Sequence, residues 1–262
     1  MEGIVLGSHL RSKFTREEEV KYISHLDLML VFERALRRAR IPIAYSGGFN
    51  PHPQMVFGLP LSVGVTSESE YADFEFHAEV DPENFKSRLN ANLPQGLKIL
   101  EVRERKAKGN IMASIAIASY DIFVYLGCSY DIIQERLKEL LSKTTIVVQK
   151  KGKKGVKDLD IRPMIHKLHV LKLSKNEIDE KLNSKFIDLD RIHLNEDNGI
   201  YCIRAVLSAG SNANLKPELL MEAIKEGLNF DINTLKIHRT ELLVGKGGKV
   251  YNPLDPVVLL GE

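Results

Sequence analysis

The sequence predicts an α+β protein made of two tandem βαββαβ units, the ferredoxin-like arrangement, with a long insertion in the second. Three observations lead there. Short strand-like runs alternate with helical segments along the whole chain. The order strand, helix, strand, strand, helix, strand occurs twice, on either side of a polar segment ending in Gly109-Asn110. A chain of 262 residues is long enough for two domains, and its 44% hydrophobic and 27% charged residues are the balance of a chain that folds.

In the first unit, residues 1–105, Leu10–Thr15 reads as a strand leading into a helix over Leu26–Arg40 and a strand over Ile41–Tyr45. Ser24 and Asp27 form a capping-box pattern at the helix start. Leu28, Phe32, Ala35, Leu36 and Ala39 share one arc at helical spacing and should face the sheet. Extended segments follow at Met55–Leu61 and Tyr71–Glu79. Asp81 then caps a helix with Pro82 at its first position, Pro94-Gln95-Gly96 ends it, and strand Leu97–Arg103 closes the unit. ERKAKGN at 104–110 reads as a linker.

The second unit, residues 111–245, repeats the rhythm: strand Tyr120–Leu126, helix Asp131–Leu141, strand Thr145–Gln149, strand Tyr201–Ser208, helix Pro217–Gly227 and strand Leu235–Val244. Between its middle strands lies the excursion Lys150–Asn198, of which Ile161–Leu173 is apolar enough to be ordered. Residues 246–262, opening with Gly247-Gly248, read as a mobile tail.

Composition excludes several classes. No apolar run is long enough to span a bilayer, and MEGIVLGSHLRSKF has neither the basic cluster nor the apolar length of a signal peptide, so a cytoplasmic protein is expected. The two cysteines, Cys128 and Cys202, sit in strand-like runs and read as buried small hydrophobes in a reducing compartment. A net charge of +2 does not demand a polyanion, but basic residues gather on the helix after Ser24 and at Lys150–Lys157. Lys150, Lys151, Lys153 and Lys154 would hold phosphate without sequence preference, and no DNA sequence recognition is expected.

The residues from Tyr22 to Pro53 hold most of the unusual choices. Arg34, Arg37 and Arg38 fall on the helix arc opposite the apolar one, where guanidinium forks match phosphate. His25 precedes free helix N–H groups, a place for an imidazole to bind or protonate an anion and the chain's candidate catalytic residue. In Gly47-Gly48-Phe49-Asn50-Pro51-His52-Pro53 the glycines relax the backbone, while the prolines hold Asn50 and His52 extended for ligand contact. Phe49 is expected to cap the core. The predicted topology brings the loop back toward Ser24–Asp27, so His25, Asp27, Tyr45, Asn50 and His52 should border one polar pocket with Arg34 at its rim. A second candidate anion site comprises Arg162 at the start of the ordered excursion, and Ser208, Ser211 and Asn212 before the helix at Pro217. His166 and His169 lack a carboxylate or thiolate to complete a metal set, and none is expected.

The run SHLDLM…FERALRRA.IPIAYS.GFNPHP, followed by FGLPLSVGV and EYADFE and later by LDIRPMIHKL and LSAGSNANLKPELLMEA, resembles the radical-SAM-linked family of bacterial proteins over most of the chain. Gln54 departs from it where many relatives carry a basic residue. The resemblance implies association, by fusion or adjacent gene, with a cobalamin-binding-type radical SAM protein, and gene neighbourhoods with ribonuclease G and large-subunit ribosomal proteins. That partner would carry the iron–sulfur cluster, S-adenosylmethionine and cobalamin. Two distant cysteines cannot supply the three thiolates of such a cluster, so no cofactor is expected in this chain. The sequence therefore points to a non-catalytic partner of a radical SAM enzyme that binds RNA or presents a substrate. One alternative is a metal-independent RNA-processing enzyme using His25; another is a protein-docking subunit that binds no RNA.

Overall fold

The computed structural model describes residues 7–152, 155–182, 187, 198–228 and 232–261. It is a mixed α+β fold of mostly antiparallel sheet, with seven α-helices among the described residues. The chain divides into two compact units, residues 1–117 with 241–262, and residues 118–240.

In the first unit, β1 (His9–Arg16) lies between β3 (Thr66–Glu75) and β4 (Leu97–Glu104), antiparallel to both. The short β2 (Met55–Phe57) pairs with β3 at Phe74, Asp73 and Ala72. Two helices, α1 (His25–Arg38) and α2 (Pro82–Asn90), contribute Leu28, Phe32, Ala35, Leu36, Phe85 and Leu89 to the core with Phe14 and Phe74 of the sheet. Its centre is aromatic: Phe32 meets Phe14 and Phe57 edge-on, each at 5.1 Å between ring centroids.

Local chemistry sets the helix ends. Ser24 Oγ accepts from the Asp27 N–H at 3.2 Å, while the Asp27 carboxylate accepts from the Ser24 N–H, closing the expected capping box. Asp81 caps α2 through the Asn84 N–H at 2.7 Å. Their C-terminal ends exchange arginines. Arg88 of α2 donates to the carbonyls of Ala39 and Arg40, and Arg38 of α1 donates to that of Asn92.

Several expectations are corrected here. Ile41–Tyr45 is no strand; it makes isolated bridges, Ile43 to Phe76 and Tyr45 to Pro53. The segment expected to run from Met55 to Leu61 is strand only to Phe57, because Gly58 leads into a turn that Gly64, at φ 89°, helps to reverse. The 104–110 segment is pinned: Arg105 is buried beside Asp73, and the N–H groups of Lys106 and Ala107 donate to the Leu259 carbonyl. Residues 246–261 are structured. They complete β10 (Ile232–Lys246), return as β11 (Lys249–Tyr251), and end in the short α7 (Pro256–Leu260). Within this unit the Leu242 N–H of β10 donates to Ser69 Oγ of β3 at 3.3 Å. A four-residue helix, α3 (Ile111–Ser114), precedes β5 (Ile115–Leu126).

The second unit takes β5 beyond its first residues, α4 (Tyr130–Ser142), β6 (Val147–Gly152), β7 (Gly155–Asp160), β8 (Ile165–Lys172), α5 (Lys175–Leu182), β9 (Gly199–Ser208), α6 (Pro217–Leu228) and the first half of β10. Its strand order is β10-β5-β9-β8, with β8 and β9 antiparallel. The predicted strand at Thr145–Gln149 is displaced. Residues 147–152 pair only with β7 in a separate hairpin, and β8, from inside the predicted excursion, takes the sheet position. Cys202 lies in β9 as expected, but Cys128 stands in the turn after β5, and both thiols are buried. Lys153 and Lys154 of the expected basic loop lie outside the described residues.

Candidate nucleic-acid interface

The arginines of α1 divide by what their heads touch. Arg34 and Arg37 are exposed and have no partner among the described residues, whereas Arg38 is committed to the Asn92 carbonyl. Sequence periodicity puts all three on one arc and says nothing of a carbonyl on another helix. It also passed over Arg40, exposed at φ 51°, which ends the helix and adds another cation without a partner among the described residues. Its signal was the pair Arg40-Ile41, where the basic run stops against the next apolar residue.

Three residues beyond Arg40 the chain enters a narrow hairpin. The Ser46 N–H donates to the His52 carbonyl at 2.8 Å, the His52 N–H to Ser46 Oγ at 3.0 Å, and the Gln54 N–H to the Ala44 carbonyl at 2.7 Å. These bonds close the base, while the Ala44 N–H donates to the Glu75 carbonyl and ties that base to β3. Gly48, at φ 104°, turns the tip. Phe49 does not cap the core; its ring stands wholly in solvent at 106% of the reference exposure. Tyr45 is 49% exposed, and Asn50 and His52 are exposed as well.

His25 belongs to a different neighbourhood. Its ring meets Phe57 edge-on at 5.8 Å, and burial, then the nearby Arg16 guanidinium, hold its pKa below the ordinary histidine value against the pull of Glu70. Arg16 is itself buried, donating to the carbonyls of Val20, Lys21 and Ile23 beneath the start of α1. His25 thus lies against Phe57 of β2, His52 stands in the hairpin ahead of that strand, and Asp27 spends its carboxylate on the Ser24 cap.

The start of β8 and the end of β9 carry the second candidate site. Arg162 holds the end of α4, donating to the Leu141 carbonyl at 3.0 Å, and also donates to the Ile165 carbonyl. Ser208 Oγ pairs with His166 Nε2 at 2.8 Å. Ser211 and Asn212 are exposed after Gly210, at φ 99°. Among the described residues, no three His, Cys, Asp or Glu side chains gather as a metal set.

A family model described as an uncharacterized protein conserved in bacteria, DUF2344, matches residues 9–217. The chain belongs to that family. No curated protein matches this DUF2344 chain. Among solved structures it is similar to a Cbf5-Nop10-Gar1 complex, at 11% identity and a TM-score of 0.47 over 91% of this chain and 49% of that one. It is also similar to an archaeal box H/ACA sRNP Nop10-Cbf5 complex, at 10% identity and 0.43 over 90% and 47%. An unknown protein from Galdieria sulphuraria matches at 12% and 0.23 over 87% and 98%. The DUF2344 chain thus spans about half the length of the first two, and likenesses of this depth carry no functional argument.

Proposed function

We propose that the chain is a non-catalytic, RNA-binding partner of a radical SAM enzyme, and that RNA is held by the end of α1 and the hairpin that follows it. One observation carries the RNA half. Arg37 and Arg40, exposed and without a partner among the described residues, come a few residues before a closed hairpin that lifts Phe49 fully into solvent and leaves Tyr45 half-exposed. Exposed apolar rings are costly in water, and rings beside free guanidinium groups are what unpaired nucleotides need: stacking for bases, forks for phosphates.

The radical SAM half rests on the SHLDLM-to-GFNPHP resemblance and on two buried cysteines, which leave a three-thiolate cluster to the partner. The same reading makes each unit a ferredoxin-like module. Support comes from the strand orders β4-β1-β3-β2 and β10-β5-β9-β8, each the order of a split βαβ unit, with β6, β7 and α5 as the insertion in the second.

The test is fluorescence anisotropy with a labelled single-stranded RNA across a salt series. Arg37→Glu with Arg40→Glu should flatten the logarithmic salt slope by about 1.4, two phosphates at about 0.7 each. Phe49→Ala should weaken binding roughly tenfold with the slope unchanged, since one stacked base contributes about 1–3 kcal/mol. Wild-type protein that binds no RNA, or variants that bind as wild type does, would refute the reading. RNA cleaved by wild type in chelator but not by His25→Ala would replace it with the nuclease alternative.

A further inference from the structure

The second unit holds a cavity lined by charges of both signs. The β6 strand, off the main sheet, packs against α6, and the space between them has a volume of about 540 Å³. That is within the range of small-molecule sites. Lys150 of β6 and Lys216 just ahead of α6 line it together with Glu218, Glu222 and Glu226 of the helix. The spacing of four puts the three carboxylates on one face of α6, about 6 Å apart along its axis. None of these five groups has a partner among the described residues, so lysines and glutamates share one cavity without pairing across it. Glu218 goes further. Its Oε2 is closed to water and has no hydrogen-bond partner among the described residues, while the same residue lines the cavity. A carboxylate with one oxygen left dry and unbonded is stabilised by a cation brought against it.

We infer that this cavity binds a cationic amino acid of the arginine or lysine type. Charge selects that class. Unpaired lysines call for a carboxylate on the ligand, and glutamates in the same cavity call for ammonium or guanidinium, so a zwitterion meets both demands. Three carboxylates against two lysines leave the cavity with an excess of negative charge. An amino acid whose side chain is itself cationic carries two positive charges and one negative, and matches that sum. A polyanion would face the three carboxylates, and a simple diamine would leave both lysines unmet. The α-carboxylate of the ligand lies toward Lys150 and Lys216, and its two cations toward Glu218 and the glutamates that follow it along α6. The RNA surface proposed on α1 and its hairpin shares no residue with this cavity, so the inference stands or falls independently of RNA binding.

Isothermal titration calorimetry of the full chain with L-arginine tests it. Saturable one-to-one binding is expected. Agmatine, which lacks the carboxylate, and L-citrulline, which lacks the side-chain charge, should each bind about tenfold more weakly or worse, through loss of one charged contact. Lys216 is exposed, so Lys216→Met should fold as wild type does. It should weaken L-arginine by a similar factor and leave agmatine unchanged, a split that a general loss of structure would not produce. Glu218→Gln, of the same shape, should weaken both ligands. No binding of L-arginine up to about 10 mM, agmatine bound as tightly as L-arginine, or binding that both substitutions leave unchanged would overturn the inference.

Discussion

Removing the carboxylate of Asp73 should destabilise the first unit by about 3 kcal/mol, the lower end of the cost of breaking a buried ion pair. Asp73 and Arg11 face each other across β3 and β1 with 3% and 4% of their side chains exposed. Arg11 forks onto the carboxylate at 2.6 and 3.0 Å, the Ile111 N–H donates at 2.9 Å, and Arg105 Nε stands 3.6 Å away. Asp73→Ala leaves two guanidinium groups in the interior without their shared anion. The loss stays at the lower end because each keeps carbonyl partners: Pro253 for Arg11, at 3.1 Å, and Ala107 and Gly109 for Arg105. A domain has about 5–15 kcal/mol in total, so the unit should still fold at 25 °C. Hydrogen exchange of β1 and β3 peptides reports this unit separately from the second, where a single melting curve would mix them. Protection in both strands should fall together, and the 253–261 segment, which Arg11 tethers through Pro253, should exchange faster still. A change below about 1 kcal/mol would mean that the guanidinium groups are solvated after all, and the account of this cluster would be wrong.

Two further outcomes follow from titrating groups. His25 is held below its ordinary pKa, so the fold prefers the neutral ring; its stability contribution is present above the unfolded value near 6.5 and is lost as pH falls through the lower folded value. Urea midpoints should therefore drop between pH 7.5 and 5.5, and the part of that drop missing in His25→Gln belongs to this ring; an identical drop in the variant would refute the assignment. Cys202 is pushed up to about 12, chiefly by burial, and Cys128 is also raised by burial. A thiol-specific chromogenic reagent at pH 8 should release almost no signal from folded protein and two equivalents in urea; fast labelling of the folded chain would place a thiol at the surface.

Much of the fold was legible because its signals are local. The cap at Ser24-His25-Leu26-Asp27, the Asp81-Pro82 start and the spacing of Leu28, Phe32 and Leu36 each lie within one or two turns and survive folding unchanged. What was missed depends on distant partners. Ile41–Tyr45 has strand composition, yet its backbone bonds go to a hairpin of its own and to single residues of β3. β8 stayed hidden because a register shift between Ile165 and Lys167 breaks the alternation that marks a strand. Arg38 and Arg162 look like surface cations in sequence but cap helix ends, Arg38 across 54 residues, while Arg11 and Arg105 gave no sign of their burial.

The division of labour along α1 has a physical logic. Its inner arc is fixed by aromatic packing, and both its ends are tied, by the Ser24 cap and by Arg88. A helix so anchored can carry residues on its outer arc that add nothing to folding. Leu26 and Leu30 are of that kind, and so are Arg34 and Arg37. The same holds for the hairpin, whose base closes on itself through Ser46 and His52, so Phe49 can face water without disturbing the core. Apolar groups exposed on a rigid scaffold, near cations without a partner among the described residues, are what the proposed binding surface requires.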